Sequence, residues 1–365
     1  MNGTKKLISI DSVQPGMQTA EAVVNRFGGV ILWENSQLET TSIERLKNNG
    51  IKTVWVYEKI QRPGEPAIWP NGAFSQKPAF TPGKKDKLEF TREYEQNVSQ
   101  VKNVFEDLAS GKKLHSDQVE QIVSDTMERV EGNRELIGTI MVVRDIDEYT
   151  YFHSMNVSLL CMMMGKWMKM SPTEIKNCTM AGLLHDVGKT KVSAEILSKP
   201  GILTPAEFEE VKRHSELGYI MVSEMPGITN EVAVAVLTHH EKEDGSGYPL
   251  GLKGNQLNIY SKIITIADIF DAMTANKTYR AKDTPFRVFE LMQHGSFGVL
   301  DPYVLSVFLE NITHYYIGSK VLLDDGRKGE VIFMNRMDFS KPVIQVGEQY
   351  VDTALPRAPK VKEFL

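Results

Sequence analysis

Hydrophobic and polar positions divide the chain into four stretches. Over residues 1–60, short apolar runs alternate with turns. Gly29 to Asn35 ("GVILWEN") and Ile51 to Glu58 ("IKTVWVYE") are rich in β-branched and aromatic residues and predict strands. Between them "TTSIERLKNNG" predicts a helix, with Thr41 or Ser42 as its cap and Gly50 at its end. Residues 61–89 break this rhythm with Pro63, Pro66, Pro70, Pro78 and Pro82, the mark of a linker or irregular extension. From residue 90 to 316 apolar positions recur at three- and four-residue steps, which predicts helices. The helix starts there are well signposted. Ser171 and Thr204 are each followed by proline and, three residues on, by Glu174 and Glu207, making two capping boxes. After residue 316 "KVLLDDGRKGEVIFMN" reads as a hairpin around Asp-Gly, "PVIQV" as a further strand, and "PRAPKVKEFL" as a tail.

The expected fold is therefore mainly α. A helical domain spans 90–316, with its core at 131–316. A small α+β module precedes it, and a short β segment with a tail follows over 317–365.

Composition narrows the function classes. With 365 residues, 41% hydrophobic and 24% charged, the chain is an ordinary globular protein of two or three domains. A net charge of −5 and the lack of a basic stripe argue against a nucleic-acid polymer as partner. No run reaches the length of a membrane span, and "MNGTKKLISI" does not read as a signal peptide, so a cytoplasmic setting is expected. Cys161 and Cys178 lie in apolar helical patterns and read as buried small hydrophobes. The methionine run from Cys161 to Met170 reads as core.

The chemistry lies in polar residues that interrupt apolar runs. His153 follows "YTYF". His185 and Asp186 end "AGLL" and precede Gly188 and Lys189. His214 sits in "EVKRHSELG", His239 and His240 end "AVAVLT", and Asp268 and Asp271 interrupt "KIITIADIFDAMT". An unpaired polar group in such surroundings costs about 1–3 kcal/mol, and helix bundles are where such side chains converge on metals. Imidazoles with carboxylates, and no thiolates, suit Fe, Mn, Zn, Ni or Co. A carboxylate at 186 that bridged two cations would centre a two-metal hydrolytic site, with a hydroxide between the ions.

"LLHDVGK" and "HHEKEDGSGYP", in order with "YTYFHS", "KRH", "ADIFDAMT" and "KTYR", resemble the HD-GYP family of bacterial HD-superfamily phosphohydrolases over about half the chain. The resemblance implies an all-α catalytic domain, two or three divalent ions (Fe or Mn first, then Zn, Ni or Co) and hydrolysis of cyclic di-GMP to linear pGpG and then GMP. It implies metal ligation by His153, His185, Asp186, His214, His239, His240 and Asp268, with Glu148, or Asp147 after it, for a third ion. Lys189 would contact the scissile phosphate or the attacking hydroxide. Asp271 would orient or deprotonate the water. Tyr248, Lys277 and Arg280 would bind substrate. Lys242 and Lys277 stand where many relatives carry Arg, a change that bears on affinity and base preference. The alternatives are a module that binds a cyclic dinucleotide without turnover, and a phosphodiesterase for mixed cyclic GMP-AMP. Further candidate partners are signalling proteins and a second copy of the chain.

Overall fold

The computed structural model describes residues 5–21, 23–24, 30–32, 38, 42–43, 46–47, 51–57, 84–130, 149–199, 201–274, 284–295 and 298–365. The chain divides into two compact units, Met1–Lys77 and Pro78–Leu365. Most of the proline-rich linker, Glu148, Lys277 and Arg280 lie outside the described residues.

In the first unit β1 (Lys5–Ser9) pairs antiparallel with β4 (Thr53–Tyr57), and β2 (Val23–Val24) pairs with β3 (Val30–Leu32). The period of two along β4 turns Val54 and Val56 inward and leaves Trp55 outside, opposite Leu7. Val54 and Val56 close a small core with Ile10, Val13, Leu38 and Leu46. Strand β1 did not stand out in the sequence, because its residues are mostly exposed and carry no strict alternation.

The second unit opens with α1 (Lys84–Ala109) and α2 (Ser116–Val130), separated at Gly111, which sits at φ +83°. At its centre is α3 (Tyr149–Trp167), buried from Phe152 through Gly165. A helix apolar on every side must be enclosed, and the methionine run supplies that surface. Cys161 and Cys178 are buried free thiols. Helix α4 (Pro172–Leu184) begins with the expected capping box at Ser171. It lies close against α3 at Gly182, where a Cβ would stand 2.8 Å from the Cys161 sulfur. That approach brings the end of α4 beside the start of α3.

A 3-10 turn (Val187–Lys191) and the short α5 (Ala194–Leu197) lead to α6 (Pro205–Lys212), which carries the second capping box at Thr204. Then come α7 (His214–Ser223), α8 (Asn230–Thr238) and α9 (Ile259–Thr274), followed by α10 (Pro285–Gly295) and α11 (Pro302–Ile312). Asp301 caps α11 by accepting from the Tyr303 and Val304 amides.

The C-terminal reading needs correction. The segment is a five-stranded antiparallel sheet in the order β8-β7-β6-β5-β9. Its strands are β5 (Lys320–Leu323), β6 (Lys328–Phe333), β7 (Val343–Val346), β8 (Gln349–Asp352) and β9 (Val361–Phe364). The residues expected to form a tail instead supply β9, the edge strand that pairs with β5. Phe364 stacks on Phe286 of α10, and Val321, Leu323, Val331 and Ile344 share one core with the helices. The sheet is thus part of the helical unit's core. No helix among the described residues is long and apolar enough to cross a membrane.

Candidate metal centre

Helix ends build the site. His185 is the C-cap of α4, His239 the C-cap of α8, and His214 follows the end of α6. The last carbonyls of a helix lack partners inside it. Each of these imidazoles satisfies one. The Nδ1 of His185 donates to the Gly182 carbonyl at 2.8 Å, that of His214 to Val211 at 2.6 Å, and that of His239 to Val236 at 2.7 Å. The bond fixes the tautomer, so each Nε2 is left with a lone pair aimed inward.

The inward atoms crowd together. His214 Nε2 lies 3.3 Å from His239 Nε2 and 3.1 Å from His240 Nε2. Burial, reinforced by neighbouring imidazoles, pushes His239 far below its ordinary pKa, and burial takes His240 down to about 3. Burial also lowers His214. At neutral pH these rings are uncharged, and the His214 and His239 lone pairs, which face each other at 3.3 Å, repel. A shared cation removes the repulsion.

Asp186 stands in the middle, 1% exposed. Its Oδ2 faces His185 Nε2 at 3.3 Å, His153 Nε2 at 3.6 Å and the Lys189 ammonium at 2.6 Å. Its Oδ1 turns the other way, 3.5 Å from His214 Nε2. Burial works to raise its pKa, but the neighbouring His185 ring and the Lys189 ammonium hold the carboxyl well below the usual range. Lys189 in turn stays protonated, since Asp186 outweighs the burial of its ammonium. Asp268 on α9 reaches His153 Nε2 at 3.0 Å and His240 Nδ1 at 4.0 Å.

These distances sort the donors into two halves around one carboxylate. His153, His185 and Asp268 form one set and His214, His239 and His240 another, and His185, Asp186 and His239 form a third that joins them, each with its ligand atoms within 4.8 Å of one another. His185 Nε2 and Asp186 Oδ1 are buried with no hydrogen-bond partner, a condition that costs free energy unless something else satisfies them. The donor set, its tautomers and these two orphaned atoms all fit divalent cations.

Asp271 packs against His153. It is fully buried behind His153, where Oδ2 accepts from His153 Nδ1 at 2.8 Å and Oδ1 accepts from Asn156 Nδ2 at 2.9 Å. Asn156 in turn accepts from the Tyr94 hydroxyl of α1. Asp271 thus holds the His153 ring in one orientation. Burial opposes a charge on His153, but hydrogen bonds and charge from Asp268 and Asp271 outweigh it and raise its pKa to about 9. Asn156 and Tyr94 escaped sequence reasoning. Asn156 had left a signal, as a polar residue one turn after His153 in an apolar run.

The loop after the paired histidines is held by a residue the sequence reading also passed over. Glu241 is 1% exposed. Its carboxylate accepts from the Leu250 amide at 2.6 Å and from the Gly251 and Leu252 amides at 3.0 Å. Gly245 takes the left-handed turn at φ +80°. Gly247 has another reason, since a Cβ there would lie 2.4 Å from the Glu241 Cα. The loop so folded lays the Tyr248 ring on His240, with centroids 4.7 Å apart and planes at 30°. Burial, with the nearby Asp186 and Asp268 charges, pushes the Tyr248 hydroxyl up, so it stays protonated. Gly188 is likewise a contact glycine: a Cβ there would sit 1.9 Å from the His214 carbonyl oxygen. That close approach brings Asp186 to His214.

The HD domain family matches residues 103–304, over half of the chain. A cyclic di-GMP phosphodiesterase of Pseudomonas aeruginosa is 27% identical over 87% of this chain and 78% of its own length. A 3'3'-cGAMP-specific phosphodiesterase of Vibrio cholerae is 34% identical over 51% of this chain. The chain spans only 44% of that protein, and 48% of a cyclic di-GMP phosphodiesterase of Thermotoga maritima that is also 34% identical. Among solved structures, a HDG"Y"P protein from Bdellovibrio bacteriovorus shares the fold, with a TM-score of 0.52 at 14% identity over 85% of this chain and 99% of its own. The matched segment holds every histidine and aspartate of the two donor sets, and the chain belongs to the HD domain family.

Proposed function

We propose that this protein is a cyclic-dinucleotide phosphodiesterase that cuts cyclic di-GMP to linear pGpG, with GMP as the product of a second cut. One observation carries the reading: Asp186 turns its two oxygens toward two separate histidine sets. Divalent ions, Fe or Mn first, would be held by His153, His185, Asp268 and Asp186 in one half and by His214, His239, His240 and Asp186 in the other. Such ions place positive charge against phosphate oxygens and make water a stronger acid. The chain's own residues do the rest. Lys189 brings a protonated ammonium to the rim of the centre, where it offsets charge developing on the phosphate. The Tyr248 hydroxyl, protonated and beside the carboxylates, donates to the ligand. Asp271 holds His153 in one orientation. Lys277 and Arg280 remain candidate phosphate contacts, and Glu148 a candidate ligand for a third ion.

A second substrate, mixed cyclic GMP-AMP, is favoured by the 34% identity to the Vibrio enzyme named for it. Anaerobically purified protein, analysed for metals and incubated with each cyclic dinucleotide, tests both readings by chromatography of the products. Linear pGpG is expected from cyclic di-GMP. His185→Ala and Asp186→Ala should abolish turnover, and retained turnover in either folded, metal-loaded variant would falsify the proposal.

A further inference from the structure

Outside the metal centre an aromatic and cationic wall continues from Tyr248. The Phe208 ring meets Tyr248 edge-on, with centroids 6.5 Å apart, and Phe208 remains 46% exposed. Lys212, four residues later on the same face of α6, holds its ammonium 4.9 Å from the Phe208 centroid and 5.5 Å from the Tyr248 centroid. It pairs with Glu209, whose side chain is 69% exposed. A surface pair of that kind yields readily to a stronger anion. Rings and charge thus run outward in sequence: His240, then Tyr248, then Lys212 and Phe208.

We infer that Phe208 and Lys212 form a subsite for the second nucleotide of the cyclic substrate, the half that is not being cut. The inference rests on the proposed phosphodiesterase reading. A cyclic dinucleotide carries two phosphodiesters and two flat bases. If one phosphate lies at the metal centre, the ring closure holds the other close by, outside it. That half needs a cation for its phosphate and an aromatic face for its base. Lys212 offers the first. Phe208 offers the second, as a phenyl ring 46% exposed beside Tyr248 with a cation 4.9 Å from its centroid.

Full-length, metal-loaded protein tests this, with cyclic di-GMP for turnover and its slowly cut phosphorothioate analogue for equilibrium titration. Phe208→Ala and Phe208→Leu are expected to raise KM and Kd about tenfold, the scale of one lost base stack, with a much smaller change in kcat. Phe208→Trp should keep wild-type affinity. Lys212→Gln should raise Kd and flatten its dependence on salt. Metal content and melting temperature confirm that each variant is folded. Equal affinity across the three Phe208 variants, whether all kept or all lost, overturns the subsite even where the wild type cuts. If the wild type binds the analogue but releases no pGpG, the phosphodiesterase reading fails, and the affinity series still judges the subsite. Absence of binding to the wild type overturns both.

Discussion

Replacing Asp271 with Asn separates two roles for a buried carboxylate. The wild-type side chain accepts from His153 at 2.8 Å and from Asn156 at 2.9 Å. An amide has only one acceptor oxygen, so one of those N–H groups must face another donor. A buried donor left unmade costs about 1–3 kcal/mol, and the bond to His153 is the stronger of the two because it is charge-assisted. At about 1.4 kcal/mol per decade, the loss corresponds to roughly 5- to 100-fold in whatever depends on the His153 orientation. Partners of metal-bound histidines are worth a similar 10–100-fold in metal affinity. Competition against a fluorescent chelator should therefore show Asp271→Asn binding metal about 10–100-fold more weakly, with most turnover restored at saturating metal. The opposite result, wild-type metal affinity with turnover lost at every metal concentration, would place Asp271 on the attacking water and refute this account.

Other outcomes follow from the same geometry. Glu241→Ala removes the acceptor for three loop amides, so chemical denaturation should show a loss on the order of 3 kcal/mol and substrate KM should rise. Glu241→Gln keeps one oxygen and should recover part of both. Gly188→Ala drives a methyl into the His214 carbonyl and should cost about 1–3 kcal/mol of stability and weaken metal binding, read by melting with and without chelator. In metal-stripped protein His153 has its pKa raised from 6.5 to about 9. Its contribution to stability is thus full below pH 6.5 and disappears as pH rises through 9. The melting temperature of chelated protein should fall over that window, and metal loading at pH 7.5 should release a proton, seen as buffer-dependent heat in titration calorimetry.

The candidate metal donors were visible in the sequence and their supports were not, and the reason is physical. His153, His185, His214 and Asp268 interrupt apolar helical runs, where a polar residue is costly and so conspicuous. The capping boxes at Ser171 and Thr204 were legible because a cap is a local device of four residues. Tyr94 and Asn156 meet across 62 positions of chain, a contact that no local pattern encodes. Glu241 looked like one more charge in "EKED", whereas in the folded loop it is buried under three amides. Asp271 stands one turn from Asp268, which suggested a shared task, yet its carboxylate lies on the far side of the His153 ring. Strand β9 escaped because "VKEF" alternates weakly beside a proline-rich stretch. It is specified by the open edge of β5, formed about forty residues earlier.

The hydrogen-bond chain from Tyr94 through Asn156 and Asp271 to His153 decides where this protein can be cut. The family match starts at residue 103, and that is where a fragment designed by homology would begin. Such a fragment discards Tyr94, three hydrogen bonds away from the candidate ligand His153, and leaves Asn156 without that donor. Ending the fragment at residue 304 also strips the sheet whose apolar face completes the helical core. For anyone grafting this helical unit onto another domain, the portable piece runs from the start of α1 at Lys84 to the last residue of β9, Phe364.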